Sequence, residues 1–190
     1  RWIRRDRLLD RPVTLTAGFA MDELDEQRRG FQNFTGTGTA QVLGVQGALR
    51  RNEANTVRNS DQYLQADWAL SDRWQLMAGV RHSTVKFRSR DQYIATGNGD
   101  DSGSAEHSAT TPALGLVFHA SDAVNLYAAT GRGFETPTFN ELAYRPGGAT
   151  GLNFGLLPAR SRQFELGVKA ELGANWRTNL AVFQAGTRDE

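Results

Sequence analysis

A tyrosine and an arginine, Tyr144 and Arg145, stand side by side in a glycine-rich stretch of the chain. They precede Pro146-Gly147-Gly148, a turn signal that could present both side chains at the tip of a loop. An exposed aromatic ring and a guanidinium can together stack on a ligand and bind its anionic groups through bidentate contacts. The pair therefore predicts a binding site for an anionic, aromatic ligand, and we add Arg132, near the start of the same stretch, to this candidate set.

The same residues also have a purely structural interpretation. Arg145 would pair with Glu141, and the neighbouring tyrosine would pack against Phe139. Arg132 would form ion pairs with Glu135 and Glu141, as most loop arginines only pair or solvate. The sequence leaves both interpretations open.

No constellation of residues points to catalysis or to a bound cofactor. The chain has no cysteine, which excludes thiolate-ligated zinc and a thiol nucleophile, and it has no Gly-x-Ser-x-Gly elbow. Its three histidines, His82, His107 and His119, show no metal-ligand spacing. Residues 98–103 imitate the start of a calcium loop, but the twelfth position is Ala109 rather than an acid. The sequence thus predicts no enzyme, no metal site and no cofactor.

The composition restricts the classes of partner and fold. The 190 residues contain 22 Lys+Arg and 21 Asp+Glu, for a net charge of +1. Domains that bind nucleic acid usually carry a strongly basic face, so no such partner is predicted. No apolar run approaches the ~18 residues of a membrane helix. Twenty glycines and a mean hydropathy of −0.51 argue against a helical bundle.

The elements that position the candidate residues are strands, because apolar residues recur at every second position in several segments. Between Gln163 and Leu172, for example, one side of the alternation is apolar and the other carries Glu165, Lys169 and Glu171. We count about seven such strands and no helix. The predicted fold class is therefore all-β and antiparallel.

The connections alternate between short turns and long polar segments. The short turns are Ser71–Arg73, Ala120–Asp122 and Gly173–Asn175, and the long segments are roughly 22–59, 89–107 and 132–161. Because antiparallel strands reverse each time, the two kinds of connection must lie at opposite ends of the sheet. Outer-membrane barrels have this asymmetry of connections. Trp68, Trp74 and Trp176 lie beside the short turns, and aromatic residues at one end of an apolar strand face are typical of a membrane interface. The alternative is a soluble β-sandwich with the tryptophans in its core.

In the barrel interpretation, the apolar residues of each strand face lipid and the alternating polar residues face the lumen. The residues predicted to face lipid are Leu64, Leu76, Leu114, Leu126, Phe164, Leu166, Val168, Leu180 and Val182. Those predicted to face the lumen are Gln65, Gln75, Glu165, Lys169 and Glu171. A slip of one residue would place the charged set in hydrocarbon, so the register is strongly specified.

The segment Asn125–Leu142, NLYAATGRGFETPTFNEL, closely resembles barrel strands of TonB-dependent outer-membrane receptors, which often read LYAxYxxGFxxPTxNEL. Residues 157–169 resemble the family's LxPExSxxxExGxK stretch, with Ala159 in place of its usual glutamate. Asp72–Arg81 is similar to the family's hairpin of a turn followed by WxLxxGxR. The resemblance covers roughly residues 60–185 and, more loosely, 1–59.

This resemblance implies an up-and-down transmembrane β-barrel of about 22 strands, so seven strands would be a segment of a larger barrel. Residues 1–190 would be a partial barrel domain, with no counterpart of the family's plug domain or energy-coupling segment. The implied function is active import of a scarce ligand, most commonly a ferric siderophore, across the outer membrane of a Gram-negative bacterium. The implied partners are that ligand, outer-membrane lipid and the TonB complex, the last through parts of the protein not in this chain.

Two other functions compete with this expectation. One is a passive or structural outer-membrane barrel, porin-like and without energy coupling. The other is a barrel-embedded hydrolase, which would need a Ser/His constellation that the sequence does not display.

Overall fold

Eight strands form one antiparallel sheet in the computed structural model, which describes residues 1–145, 151–173 and 175–189. The strands of the chain are β1 (Trp2–Leu8), β2 (Arg11–Phe31), β3 (Phe34–Thr35), β4 (Val42–Leu43), β5 (Leu49–Ala69), β6 (Trp74–Asp91), β7 (Gly103–Ser121), β8 (Val124–Glu135), β9 (Ala159–Glu171) and β10 (Arg177–Arg188). The sheet order is β1-β2-β5-β6-β7-β8-β9-β10, and β3 pairs separately with β4. Each strand of the large sheet pairs with the next one along the chain, which is the predicted up-and-down topology.

The connections confirm the predicted asymmetry between the two ends of the sheet. Short turns follow β1, β5, β7 and β9, whereas the long connections follow β2, β6 and β8. The long connections are shorter than expected because the strands extend further: β2 and β5 have 21 residues each, about twice the 9–11 that cross a bilayer. Polar cross-strand contacts hold these extensions together, for example the Arg58–Glu23 ion pair at 2.9 Å.

Within the large sheet, β1 is the strand that the alternation did not predict. β1 places Arg4 and Asp6 opposite Leu15 and Val13 of β2, on a face that is otherwise apolar. The two charges pair with each other at 2.6 Å, which satisfies both without interrupting the ladder. The hairpin turn that follows uses Leu9 and Asp10 at positive φ, 51° and 59°, rather than a glycine. The sheet therefore has eight strands instead of the predicted seven.

The predicted register of the other strands is confirmed. Leu126 lies opposite Phe118 on one side and Val168 on the other, and the ladder continues from Val168 to Leu180. All nine residues predicted to face lipid share this face, which we call the outer face, and the five polar residues predicted to face a lumen share the opposite, inner face. Leu180 exposes 65% of its surface, so the apolar outer face has no cover within the described residues.

On the inner face, tyrosine rings pack over glycines of the neighbouring strand. A Cβ on Gly167 would come within 2.4 Å of the Tyr127 ring, so only glycine leaves space for this ring. The hydroxyl of Tyr127 donates to Glu165, and the Lys169 ammonium lies 5.3 Å from the ring centroid. Tyr63 covers Gly18 in the same way. These contacts keep a polar face rigid without an apolar core.

Among the described residues, helical structure is limited to a 3₁₀ turn at Gly38–Ala40 and to α1 (Phe139–Leu142). Within the described ranges, no helix is long and apolar enough to cross a membrane.

The two faces can be distinguished chemically, because the chain has no cysteine of its own. If the sheet is part of a membrane barrel, we expect Leu166→Cys to react with a lipid-phase reagent and its neighbour Glu165→Cys to react with a water-soluble one. The measurement is the labelling yield of each single-cysteine variant. The opposite pattern, with lipid-phase labelling at position 165 and none at 166, would contradict the register.

Candidate ligand-binding site

The connection between β8 and β9 folds back over the inner face, beyond the segment that would cross the membrane. Leu142 of α1 is fully buried, and Leu152 and Phe87 are 5% and 4% exposed, so the three form the main apolar cluster of the described residues. The ring of Phe139 meets that of Phe87 edge-on, with 5.5 Å between their centroids. The long-loop end of the inner face is therefore an ordered surface.

A capping box starts α1 and orders this loop. The Thr138 hydroxyl accepts from the backbone N–H of Glu141 at 3.3 Å, and the Glu141 carboxylate accepts from the Thr138 backbone N–H at 2.7 Å. That backbone hydrogen bond, with a further one from the Thr138 hydroxyl, holds the pKa of Glu141 below its ordinary value. The sequence contained this signal as Thr-x-x-Glu, but the expectation of no helix overlooked it.

Four arginines from β2 and β5 line a cavity of about 380 Å³ at the same end of the sheet. They are Arg28, Arg29, Arg50 and Arg51. Three carboxylates, Glu53, Asp91 and Asp101, share the cavity, so its formal charge is +1. Asn98, from the connection between β6 and β7, and Gly151, from the connection between β8 and β9, also line it. Three strands, β2, β5 and β6, and two long loops thus meet at the cavity.

Several polar atoms around this cavity are buried without a hydrogen-bond partner among the described residues. They include Nη1 of Arg28, Oε2 of Glu53 and Oδ1 of Asn55. Glu53 is 5% exposed and Asn55 only 1%. Buried polar groups are nearly always satisfied in folded proteins, so water, a ligand or another part of the protein must complete these contacts. The cavity therefore has the character of a binding site.

A polar network lies on the inner face between this cavity and the short turns. Its centre is Asp61, which is 2% exposed and accepts from Arg81 Nε at 2.9 Å, from Ser83 Oγ at 2.5 Å and from Asn59 Nδ2 at 3.0 Å. A second cavity of about 240 Å³ adjoins it. Because the buried carboxylate is fully engaged, this network supports the strands rather than offering a free charge.

The residues that the sequence singled out lie in different places. Tyr144 is 86% exposed, so it does not pack against Phe139, and Arg145 beside it is also exposed. The turn Pro146-Gly147-Gly148 lies outside the described residues. Arg132 is exposed on β8, on the outer face, whereas α1 packs on the inner face. Arg132 forms no ion pair with any residue that the structure describes. A role in ligand binding stays a prediction for all three.

The predicted calcium-like segment forms an ordinary loop closed by side chains. Asp100 Oδ1 accepts from the Ser102 backbone N–H at 2.9 Å, and Asp91 accepts from the backbone of Tyr93 at 2.8 Å. Among the described residues, no group of three or more histidine or acidic side chains is placed to hold a metal ion.

The family comparison agrees with this geometry. A family described as "TonB dependent receptor-like, beta-barrel" matches residues 1–190. The chain belongs to this family. This TonB-dependent receptor barrel chain is also similar to solved structures. With the ferric citrate transporter FecA it shares 18% identity at a TM-score of 0.73, over 97% of this chain and 26% of that one.

Two further solved structures resemble the chain. The copper transporter OprC shares 14% identity at a TM-score of 0.72, over 99% of this chain and 29% of that one. The ferric yersiniabactin uptake receptor FyuA of Yersinia pestis shares 17% identity at a TM-score of 0.63, over 99% and 32% of the two chains. The chain therefore spans about a quarter to a third of the length of these structures. The family and the fold are those of receptors and transporters rather than of enzymes.

The cap of α1 predicts a pH-dependent loop. Because folding lowers the pKa of Glu141, the cap is complete above the ordinary glutamate pKa of about 4.3 and is lost as the pH falls through the lower, folded value. We expect protection of the Leu142 amide, which donates to Thr138 O, to decrease over that acidic range. Hydrogen exchange corrected for intrinsic rates measures it. Glu141→Gln is the matched control, and an identical pH profile in that variant would contradict the assignment.

Proposed function

We propose that the chain is part of an outer-membrane active-transport receptor of a Gram-negative bacterium. The receptor imports a scarce ligand of the ferric-siderophore class and is energised through TonB. The observation that carries the proposal is the arginine-lined cavity at the long-loop end of the inner face, in a chain of the TonB-dependent receptor barrel family. The outer face meets outer-membrane lipid, and the long connections lie outside the cell.

The chemistry of the cavity suits an anionic chelate. Guanidinium groups bind carboxylates and other planar oxyanions through two parallel hydrogen bonds, and they stay charged at every physiological pH. Part of the acidic charge is already engaged, since Glu53 pairs with Arg51 at 3.1 Å and Asp91 accepts from backbone amides. Arg28 and Arg51 lie on the inner face with Glu53, whereas Arg29 lies opposite Asn52 on the outer face. The buried Nη1 of Arg28 has no hydrogen-bond partner among the described residues, so Arg28 is the best candidate for direct contact with the ligand.

Family membership favours energised import over a passive, porin-like barrel. A simple diffusion pore would work without an energy source, whereas a receptor of this kind depends on TonB to release its bound ligand. Uptake in cells with and without TonB therefore separates the two functions.

The proposed function can be tested with the full-length receptor and a panel of ferric chelates that differ in net charge. We expect it to restore growth of a deletion strain on at least one anionic chelate as the sole iron source, and only when TonB is present. The variant Arg28→Gln should lower the affinity for that chelate about tenfold.

The control for this test is Arg58→Gln, which removes an arginine of β5 that lies on the outer face and pairs with Glu23. It should leave the affinity unchanged. Growth that is independent of TonB would favour the passive barrel. Equal affinity of Arg28→Gln and the wild type would remove the cavity from the binding site.

The loop tip is a separate candidate contact. Tyr144 is almost fully exposed and could stack on an aromatic chelate, while Arg145 could bind its anionic groups. If the tip takes part, Tyr144→Ala and Arg145→Ala should each lower ligand affinity about five- to tenfold in barrels that remain assembled. Unchanged affinity in both variants would exclude the tip and leave the cavity as the binding surface.

A further inference from the structure

The outer face of β8, β9 and β10 changes abruptly from apolar residues to arginines. Reading away from the short turns, three cross-strand rows are Leu126–Val168–Leu180, Ala128–Leu166–Val182 and Thr130–Phe164–Gln184. The next two rows are Arg132–Arg162–Gly186 and Phe134–Arg160–Arg188. Four arginines on three neighbouring strands thus form one basic surface, the four-arginine surface, directly above an apolar one.

These arginines lie opposite one another rather than opposite acids. Arg132 faces Arg162 across one ladder, and Arg160 faces Arg188 across the next. All four are exposed, and none forms an ion pair with a residue in the described ranges. Like charges directly opposite each other destabilise a sheet. Asp189 lines the same cavity as the four arginines but forms no ion pair with them, so an anion from outside the described residues would relieve the repulsion.

Elsewhere on the same face, the chain places its cations differently. Arg58 lies opposite Glu23 and pairs with it at 2.9 Å, and Lys86 lies opposite Glu106 and pairs with it at 3.2 Å. Arg58 and Lys86 lie opposite each other, and each has an acid on its other side. Arg29, Arg88 and Arg90 also lie on the outer face without an ion pair in the described residues, but they lie opposite Asn52, Thr56 and Ala54. Within the described ladders, arginine lies opposite arginine only on the four-arginine surface, which makes this arrangement a local feature.

The height of the four-arginine surface fits the border of the hydrocarbon layer. Arg162 lies ten residues along β9 from Leu172, and Arg188 lies twelve residues from Trp176. At a rise of about 3.3 Å per residue and a tilt of about 40°, these are distances of roughly 25 and 30 Å along the membrane normal. The apolar band of such barrels is about 25 Å tall. The guanidinium groups therefore reach the layer in which lipid phosphates lie.

We propose that the four-arginine surface binds the phosphate groups of an anionic lipid in the leaflet next to the long loops. Guanidinium and phosphate match in bidentate geometry, and the apolar rows below supply contact for the acyl chains. Gly186 contributes no side chain, so the space between Arg162 and Arg188 stays open for a headgroup. The inference rests on the membrane placement in the proposed function. It assigns Arg132 a lipid rather than the imported ligand.

The test uses the full-length receptor in neutral detergent micelles. The probes are a bisphosphorylated glycolipid, the same glycolipid after enzymatic removal of its phosphates, and inorganic phosphate. The variant Arg132→Gln/Arg160→Gln/Arg162→Gln/Arg188→Gln should bind the phosphorylated glycolipid at least tenfold more weakly than the wild type. The matched control Arg58→Gln/Lys86→Gln should change its affinity less than twofold. Retention of the folded band on an unheated gel shows that each variant is assembled.

Three results would overturn the inference. They are equal affinity in the quadruple variant and the control, equal binding of the dephosphorylated glycolipid, and equal binding of inorganic phosphate, which would indicate a site for free anions. Weaker binding at higher salt would accompany the expected result, because exposed charges are screened. A receptor that is assembled in the membrane and imports its chelate, yet shows any of these three results, fails this inference alone. A receptor that binds the glycolipid but imports nothing contradicts the proposed function alone.

Discussion

The whole structure depends on one constraint, which is that every strand of the large sheet must present the same parity of residues to the same face. The side-chain period of a strand is two, so a slip of one residue would exchange the complete set of outer and inner side chains. Cross-strand rows such as Leu126–Val168–Leu180 show that the ladders satisfy this condition from β8 to β10. The sheet can therefore hold together with an apolar face uncovered and a polar face opposite it. A soluble β-sandwich would instead bury one face against a second sheet, and the described residues contain no such sheet.

The inner face shows how a sheet remains rigid when its lumen side is polar. Tyr127 lies over Gly167 and donates to Glu165, and Asp61 gathers three donors at its buried carboxylate. Such contacts replace the interdigitated apolar side chains of an ordinary core, and charge-assisted hydrogen bonds are well suited to this because they gain strength away from water. The main apolar cluster of the described residues lies at the long-loop end, where Leu142 packs on the extended part of β6. The arginine-lined cavity lies at the same end, where β2, β5, β6 and two long loops meet.

The sequence allowed the fold to be predicted because alternation is a local signal, and all seven alternating segments became strands. β1 was not predicted because Arg4 and Asp6 occupy positions where the alternation requires apolar residues. Their ion pair is visible only in the three-dimensional structure. The arginine cavity could not be predicted either: its arginines lie in a segment interpreted as a loop, and only the β2–β5 register brings them together. Arg132 is a different case. It follows Leu126 by an even number of residues in the same strand, so the alternation itself already placed it on the outer face.

The two groups of arginines differ in the acidic side chains around them. In the two proposals above, this difference lets the same type of side chain bind two kinds of anion. In the cavity, Glu53, Asp91 and Asp101 reduce the charge of four guanidinium groups to +1. A site whose positive and negative charges nearly cancel attracts free anions weakly. Affinity must then come from a geometric match to the ligand, and such a match also makes the site specific. On the four-arginine surface no arginine forms an ion pair within the described residues, although Asp189 lines the same cavity, and in the proposal their repulsion is relieved by lipid phosphates. Selectivity is unnecessary there because the membrane already restricts the anions within reach. A carboxylate placed among Arg132, Arg160, Arg162 and Arg188 would remove the need for lipid, just as removing the cavity carboxylates would weaken discrimination between ligands.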